Sequence, residues 1–391
     1  MTTHYDADVA VIGYGPTALI TTLTLAKQGA SVIAFEKEKS IYPRARAVTV
    51  NDWTVRIFQD LGIADRILKV IEAQRGLRWL TYDGTEIMRV MHPESTLGHN
   101  VRFYNIYQPT MEAELRAAGE EMYGDRITVH YGDEVTGLEQ DEDGVTVTST
   151  TPDGGTRTVR AKYVVGADGG KSFTRRHIGT TMIGDAMPSL WIVVDCFSKR
   201  WWPDRDFLTF WSDKERPVVD IALSAGAHRW ELTLKPTESE ADYQTEDQVW
   251  PLLEAIGHNK DDMTIHQWAF YYHAAQIGDH WRQGRIFLAG DACHLTRPFA
   301  GAGMQTGMRD GHNLGWKLGR VISGELDPAW LDTYEAERKP NAKYFIDLAV
   351  VLGKVIEQTA TPQEMSWLND PDPSFVVTPW EPALNRPPVL E

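Results

Sequence analysis

The feature that most constrains this chain is at its start. An apolar run from Ala7 to Ile12 is broken by Gly13, Gly15 and Ala18 in a GxGxxA pattern, and an apolar helical stretch over 16–28 follows, stopped by Gly29. Ser31 to Glu36 then reads as a second strand. Strand, glycine turn, helix and strand make one βαβ unit, and its chemistry suits a dinucleotide. The first glycine permits the tight turn, and the second lets a pyrophosphate approach the backbone. The helix N-terminus offers free N–H groups and the positive end of its dipole. Glu36 stands about 20 residues further on, where a carboxylate accepts ribose hydroxyls, with Lys37 beside it. The motif alone does not choose between FAD and NAD.

The rest of the chain divides by pattern. Helical periodicity returns at 51–61, 110–122 and 301–324, while 127–150 alternates like hairpins and 163–169 is a short apolar strand. From about 181 to 280 the chain becomes a series of strands rich in Trp, Val, Ile and Phe, with one helical piece near 245–257. That is an antiparallel sheet inserted between two α/β stretches. Eight of the 14 tryptophans (Trp191, Trp201, Trp202, Trp211, Trp230, Trp250, Trp268 and Trp281) fall there, and two or three of them are expected to face a ligand.

Composition removes several classes. With 39 Lys+Arg against 55 Asp+Glu, a net charge of −16, a nucleic-acid binder that sheathes phosphates is excluded as the default. Only Cys196 and Cys293 occur, so no disulfide framework or thiolate cage is built, no metal is expected, and a reducing, cytoplasmic setting follows. The N-terminus lacks a basic segment ahead of an apolar one, and no apolar run reaches membrane-spanning length. No membrane partner is expected. A Ser/His/Asp elbow, HExxH and P-loop are also absent.

Two later stretches, ADGGKSFTRR (167–176) and LAGDACHLTRPFAGAGMQTGMRDGHNLGWKL (288–318), resemble the second and third signatures of the flavoprotein aromatic hydroxylases, which are single-component FAD monooxygenases. Residues 42–63, 103–115, 190–196 and 294–304 narrow the likeness to the 3-(3-hydroxyphenyl)propionate hydroxylase branch, over about residues 5–350. The resemblance implies an α/β fold: a Rossmann-like FAD-binding domain (1–75, 100–180 and 281–350) with an inserted, mostly antiparallel substrate domain (76–99 and 181–280). A C-terminal helix and Pro-rich tail (351–391) follow. The thioredoxin-like domain common in that branch is not expected here.

By the same likeness Asp291 meets the FAD ribitol beside Gly290, and the loop Pro298, Gly301, Ala302, Gly303 and Met304 lies over the pyrimidine end of the flavin. Asp168 serves where nicotinamide and FAD meet, and Arg44, Arg46 and Gln108 are FAD contacts. Arg44 and Arg46 also read as solvated loop arginines, and Asp168 as a turn-capping carboxylate. The family usually has Pro at Arg297, Gln at Ala302 and Ala at Cys293.

The implied reaction is hydroxylation of a phenol carrying a carboxylate, through a flavin C4a-hydroperoxide, with NADH or NADPH and O2 as co-substrates. Ketone oxygenation, epoxidation and a flavin dehydrogenase or reductase remain alternatives. A small aromatic substrate is the expected partner, with a homodimer left open. Activating a phenol requires a base, and the candidates are Asp52, Tyr271 and His273. Asp52 also reads as a helix N-cap. Alternation in WAFYYHAAQ puts Trp268, Phe270 and Tyr272 on one face and Ala269, Tyr271 and His273 on the other, without saying which lines a pocket. Arg297 is expected to pair with an anionic substrate group or the flavin, or else to lie on the surface.

Overall fold

The structure is a computed structural model. It describes residues 4–43, 46–95, 97 and 101–370, without the side chains of 186–189. Arg44 and the proline-rich segment beyond Asp370 lie outside the described residues.

The N-terminal apolar run becomes β1 (Ala7–Ile12), followed by helix α1 (Pro16–Lys27) and β2 (Val32–Glu36). Val9, Ala10 and Val11 are fully buried because β1 is central and covered on both faces, which is why it lacks polar alternation. It pairs in parallel with β2 and with β3 (Thr156–Gly166), and Ile286–Leu288 and Ile127–Tyr131 extend the parallel layer. Two antiparallel strands, Glu134–Gln140 and Val145–Thr150, branch from β3.

Helix α2 (Asp52–Asp60) follows a short strand, and α3 (Gln108–Tyr123) and the long α4 (Gly303–Ile322) complete the layer around α1. Glycines at 307, 311 and 315 let α4 press onto α1: a Cβ at Gly311 would lie 2.7 Å from the Thr17 carbonyl oxygen and 2.5 Å from Thr21 Oγ1. This contact brings the loop before α4 to the glycine turn of β1.

The second sheet has eight strands, mostly antiparallel. Its middle is β4 (Met182–Ser198), flanked by β5 (Ala227–Thr233) and β6 (Met263–Gly278). Beyond β5 come Val218–Ala222, Phe207–Trp211, Gly76–Leu80 and Glu86–Met91, and His294–Leu295 pairs on the far side of β6, so three separate chain segments build this sheet. The long helix α5 (Thr333–Ile356) runs through residue 350, where a boundary was expected from sequence.

Period-2 alternation gives this sheet two buried faces. The outer one carries Ile192, Val194, Trp230, Leu232, Trp268 and Phe270, packed with Val249, Trp250 and Leu253 of the helix Glu246–Glu254. The inner one carries Trp191, Val219, Ile221 and Phe210, covered by Val48, Tyr107, Phe299 and Ile356 from the first domain. The tryptophan expectation is therefore corrected. Trp211, Trp230, Trp250 and Trp268 belong to the outer core, Trp281 to the main core, and Trp201 is exposed. Trp202 packs at a tilt against His228 and His258, leaving Trp191 as the one of the eight placed in the inner cluster. The reason is cover: the sheet needs its own helix on the side away from the first domain, and large rings fill that interface.

Candidate active site

Gly13 has a φ of +92°, and a Cβ there would lie 2.5 Å from the Ala167 carbonyl oxygen, so only glycine closes this turn against the strand beside it. Gly15 is the N-cap of α1, with no side-chain cap, no acidic residue in the first turn and no protein atom within 4 Å of a Cβ built on it. The turn thus presents uncapped N–H groups over an open cradle, which suits a pyrophosphate. Ala18 is buried on the helix face behind it. Glu36 Oε2 accepts from the Tyr14 N–H at 2.8 Å and Oε1 from the Glu38 N–H at 2.9 Å, holding the carboxylate at the turn; Lys37 is exposed. Arg116, not singled out from sequence, lies over the Tyr14 ring and donates to the Tyr14 carbonyl at 3.1 Å.

The two later signature loops are tied together. Arg175 Nη1 donates to the Ala292 carbonyl (3.1 Å) and Nη2 to that of Gly170 (2.6 Å). Asp168 accepts from Ser172 Oγ and from the Thr174 N–H and hydroxyl, so its carboxylate caps the helix Phe173–His177. Gly290 is held by Asp310, whose Oδ2 accepts from the Gly290 N–H (3.2 Å) and pairs with His294 Nε2 (2.6 Å) while Oδ1 takes Arg338 Nε (2.8 Å). Burial pushes this carboxyl up, but His294 first and the Arg338 guanidinium after it hold it below its ordinary range. Cys293 completes a Cys/His/Asp group, but its Sγ is bonded to the Gly290 carbonyl and the carboxylate is already spent on donors. Asp291, by contrast, is half-buried and makes no hydrogen bond among the described residues.

Pro298 opens a short turn, Gly301 sits at φ +57°, Ala302 is the N-cap of α4 without a side-chain bond, and Gly303 begins that helix. Met304 packs on the main core. Gln305 Oε1 accepts from the Asn51 N–H (2.8 Å) and Thr54 Oγ1 (3.0 Å), and its Nε2 donates to the Gly301 carbonyl (2.7 Å), which fixes the loop. An uncapped helix N-terminus, an orphan carboxylate at Asp291 and the cradle at Gly15 fit a flavin dinucleotide.

Gln108 is buried; its Oε1 accepts from the Arg46 and Ala47 N–H groups (2.9 and 2.8 Å) and its Nε2 donates to Glu112 (2.6 Å). It shapes the loop that carries the exposed Arg46 side chain. Asp52 is buried as well, with Oδ1 accepting from the Trp53 N–H and Oδ2 from Ser95 Oγ. Asn51, rather than Asp52, is the N-cap of α2.

On the inner face of the second sheet Tyr271 and His273 follow the Trp191 side, while Tyr272 is exposed. The His273 ring lies 5.4 Å from both Trp191 and Phe299, and burial with the nearby Arg297 charge pushes it down to about 4. Arg297 is half-buried without a salt bridge among the described residues, and burial lowers it, opposed by Glu357 and Asp185. Trp191 Nε1, Thr233 Oγ1, His273 Nδ1, Thr296 Oγ1 and Arg297 Nε are all buried without hydrogen-bond partners among the described residues. Trp191, His273 and Arg297 lie together where the inner face meets the 294–300 segment, with Thr233 the strand partner of Trp191 and Thr296 next to Arg297 in the chain. Buried polar groups are ordinarily satisfied, so such a concentration marks a place for a polar ligand.

Further along this face Arg229 grips Asp195 through Nε (2.7 Å) and Nη2 (3.0 Å), and its Nη1 donates to the Arg46 carbonyl at 3.1 Å. Arg229, Asp195 and Glu231 escaped the sequence reading because polar residues alternating with apolar ones read as solvent-facing. The available signal was the number of charges in HRWELTLK.

These features define an FAD-binding α/β protein with a second, mostly antiparallel sheet packed beside the dinucleotide-type layer. A family model described as "FAD binding domain" matches residues 6–349, and the chain belongs to that family. The 3-(3-hydroxy-phenyl)propionate/3-hydroxycinnamic acid hydroxylase of Mycolicibacterium smegmatis is 32% identical over 352 residues, 90% of this chain and 62% of the relative. A Rhodococcus jostii protein named "Probable NADH-specific resorcinol 4-hydroxylase" is 34% identical over 89% of this chain and 65% of its own. The chain thus spans under two thirds of either relative. Among solved structures, the flavin-dependent monooxygenase PieE in complex with FAD and substrate matches with a TM-score of 0.83 at 26% identity, over 95% of this chain and 70% of that one. Aklavinone-11 hydroxylase with FAD and aklavinone matches at 0.82 and 25%, over 90% and 70%.

Proposed function

We propose that this chain is an FAD-dependent monooxygenase that hydroxylates a phenolic aromatic bearing an anionic group, consuming NADH or NADPH and O2. The observation that carries the reading is the cluster of unpartnered polar groups between the inner sheet face and the loop leading into α4. Trp191, Phe299 and His273 supply flat apolar walls there, and Arg297 supplies a cation without a bonded partner among the described residues. A flat, partly polar, anionic ligand fits such walls. The names of the relatives, which are phenol hydroxylases, support the same class.

FAD, once reduced by NAD(P)H, supplies an electrophilic oxygen from O2. The protein's part is to hold the ring, exclude water and withdraw the phenolic proton. Arg297 takes the anionic group and His273, neutral at working pH, offers a hydrogen bond without a competing charge. NADH and NADPH oxidation, O2 uptake and product mass on a panel of carboxylated and uncharged phenols test the reading. Coupled formation of a product one oxygen heavier is expected; oxidation of substrate in the absence of O2 would replace it with a dehydrogenase. In Arg297→Ala the KM for a carboxylated phenol should rise about 10- to 100-fold, as for the loss of one charge-assisted hydrogen bond. The resting flavin spectrum and turnover of an uncharged phenol should hold. Unchanged affinity would return Arg297 to a surface role.

A further inference from the structure

Glu231 is the least explained charged group on the inner sheet face. It is 5% exposed, and no hydrogen-bond donor reaches it among the described residues; its one ion-pair contact is Arg229 Nη1 at 3.8 Å, beyond bonding distance. Arg229 cannot neutralise it fully, because Asp195 already holds that guanidinium through two nitrogens. A carboxylate in this position would ordinarily be expensive to bury. Its strand partners are Val193 and Val219, and Trp191 is its diagonal neighbour, paired with Thr233 two residues on. Glu231 therefore shares the face that holds the unpartnered Thr233 hydroxyl and Trp191 N–H. The other ionisable groups around this patch are Tyr271 and Asp195 on the neighbouring strands and Tyr107 and Arg46 on the covering segments.

We infer that Glu231 is the catalytic base, taking the proton of the substrate's phenolic hydroxyl. The inference rests on the phenol-binding reading above. In the step, the phenolic O–H bond breaks and a new O–H bond forms on a Glu231 carboxyl oxygen; the electron pair stays on the phenolic oxygen, and nothing is oxidised or reduced. Arg229 lies beside this carboxyl at 3.8 Å and its positive charge favours the resulting phenolate, while Asp195 keeps that guanidinium in place. Burial raises the Glu231 carboxyl above its ordinary range, which brings its basicity toward what proton abstraction at neutral pH requires.

The test uses the oxidised FAD-loaded protein without NAD(P)H, and a carboxylated nitrophenol as an optical probe in weak buffer with a pH indicator. At a pH where the free probe is neutral, the wild type should bind it as the phenolate while releasing no proton, because the proton remains on Glu231. In Glu231→Gln the bound probe should stay neutral or release its proton to solvent, and Glu231→Asp should restore part of the wild-type behaviour. Hydroxylation should fall about 10²- to 10⁴-fold in kcat for the Gln variant. Equal phenolate signal and equal proton release in wild type and Glu231→Gln would overturn the assignment while leaving phenol binding intact. A wild type that binds the probe neutral, or releases one proton for each phenolate bound, would overturn it without any variant. A wild type that binds no phenolic probe would overturn the phenol-binding reading itself.

Discussion

His273 is an instance of environment setting chemistry at one position. In the unfolded chain a histidine takes its proton near pH 6.5, whereas here burial and Arg297 hold it to about 4. Between those values the unfolded state binds more protons, so the contribution of His273 is complete above about 6.5 and lost as pH falls toward about 4. Urea unfolding of wild type and His273→Gln at pH 8 and pH 5 checks this. The wild type should lose up to about 1.4 kcal/mol per pH unit relative to the variant within that window; parallel losses would refute it. Sequence could name His273 as a candidate but not its protonation, because the burial against Trp191 and Phe299 and the charge of Arg297 that depress it come from residues distant in the chain. Gly13 is the opposite case. Its role followed from strand, turn and helix in immediate succession, which demands the positive φ; the close Ala167 carbonyl comes from the parallel strand paired beside it.

At the scale of elements, the helices were legible to within a few residues: 16–28 against Pro16–Lys27, 51–61 against Asp52–Asp60, and 301–324 against Gly303–Ile322. Caps were less so, since Asn51 and Asp52 are both good N-cap residues and only the observed Asn51 bond to the Thr54 N–H separates them. The glycines of α4 carry a prediction at this scale. Gly311→Ala would place a methyl against the Thr17 carbonyl and Thr21 hydroxyl, so α4 and α1 must separate. A loss of about 1 to 3 kcal/mol in stability is expected, with weaker FAD retention because the loop at 301–304 moves with the helix. Thermal unfolding and the FAD dissociation constant measure both; intact packing with unchanged FAD affinity would contradict it. Strand β5 shows where the element reading fell short. His228, Trp230 and Leu232 alternate with Arg229, Glu231 and Thr233, and both sets are largely buried, since two different layers cover the two faces.

Across the whole molecule, the charge of −16 acquires a location. Acidic residues dominate overall, yet the dinucleotide turn and the start of α4 present uncapped N–H groups, and Arg116, Arg175 and Arg297 stand at or between the loops. The two domains are joined by the Arg229 bond to the Arg46 carbonyl, which depends on Asp195. Asp195→Asn removes the carboxylate charge that holds this buried guanidinium through two nitrogens. A drop of about 3 to 5 kcal/mol in unfolding free energy is expected, together with faster FAD release through a loosened loop at 46–47. Stopped-flow flavin fluorescence and denaturant titration would register both. No helix among the described residues is long and apolar enough to cross a membrane.

By itself the sequence determined the βαβ entry, the glycine turn with its acidic terminus, the inserted sheet and the loops that resemble flavin signatures, because each is set by residues adjacent in the chain. The tertiary structure alone decided which face of the inserted sheet meets the flavin loops. It placed the tryptophans mainly on the far side, committed the Asp168 carboxylate and Gln108 amide to backbone, and left Glu231 buried without a hydrogen-bond donor among the described residues. Alternation along a strand says that two faces differ; only the packing of distant segments says what covers each one.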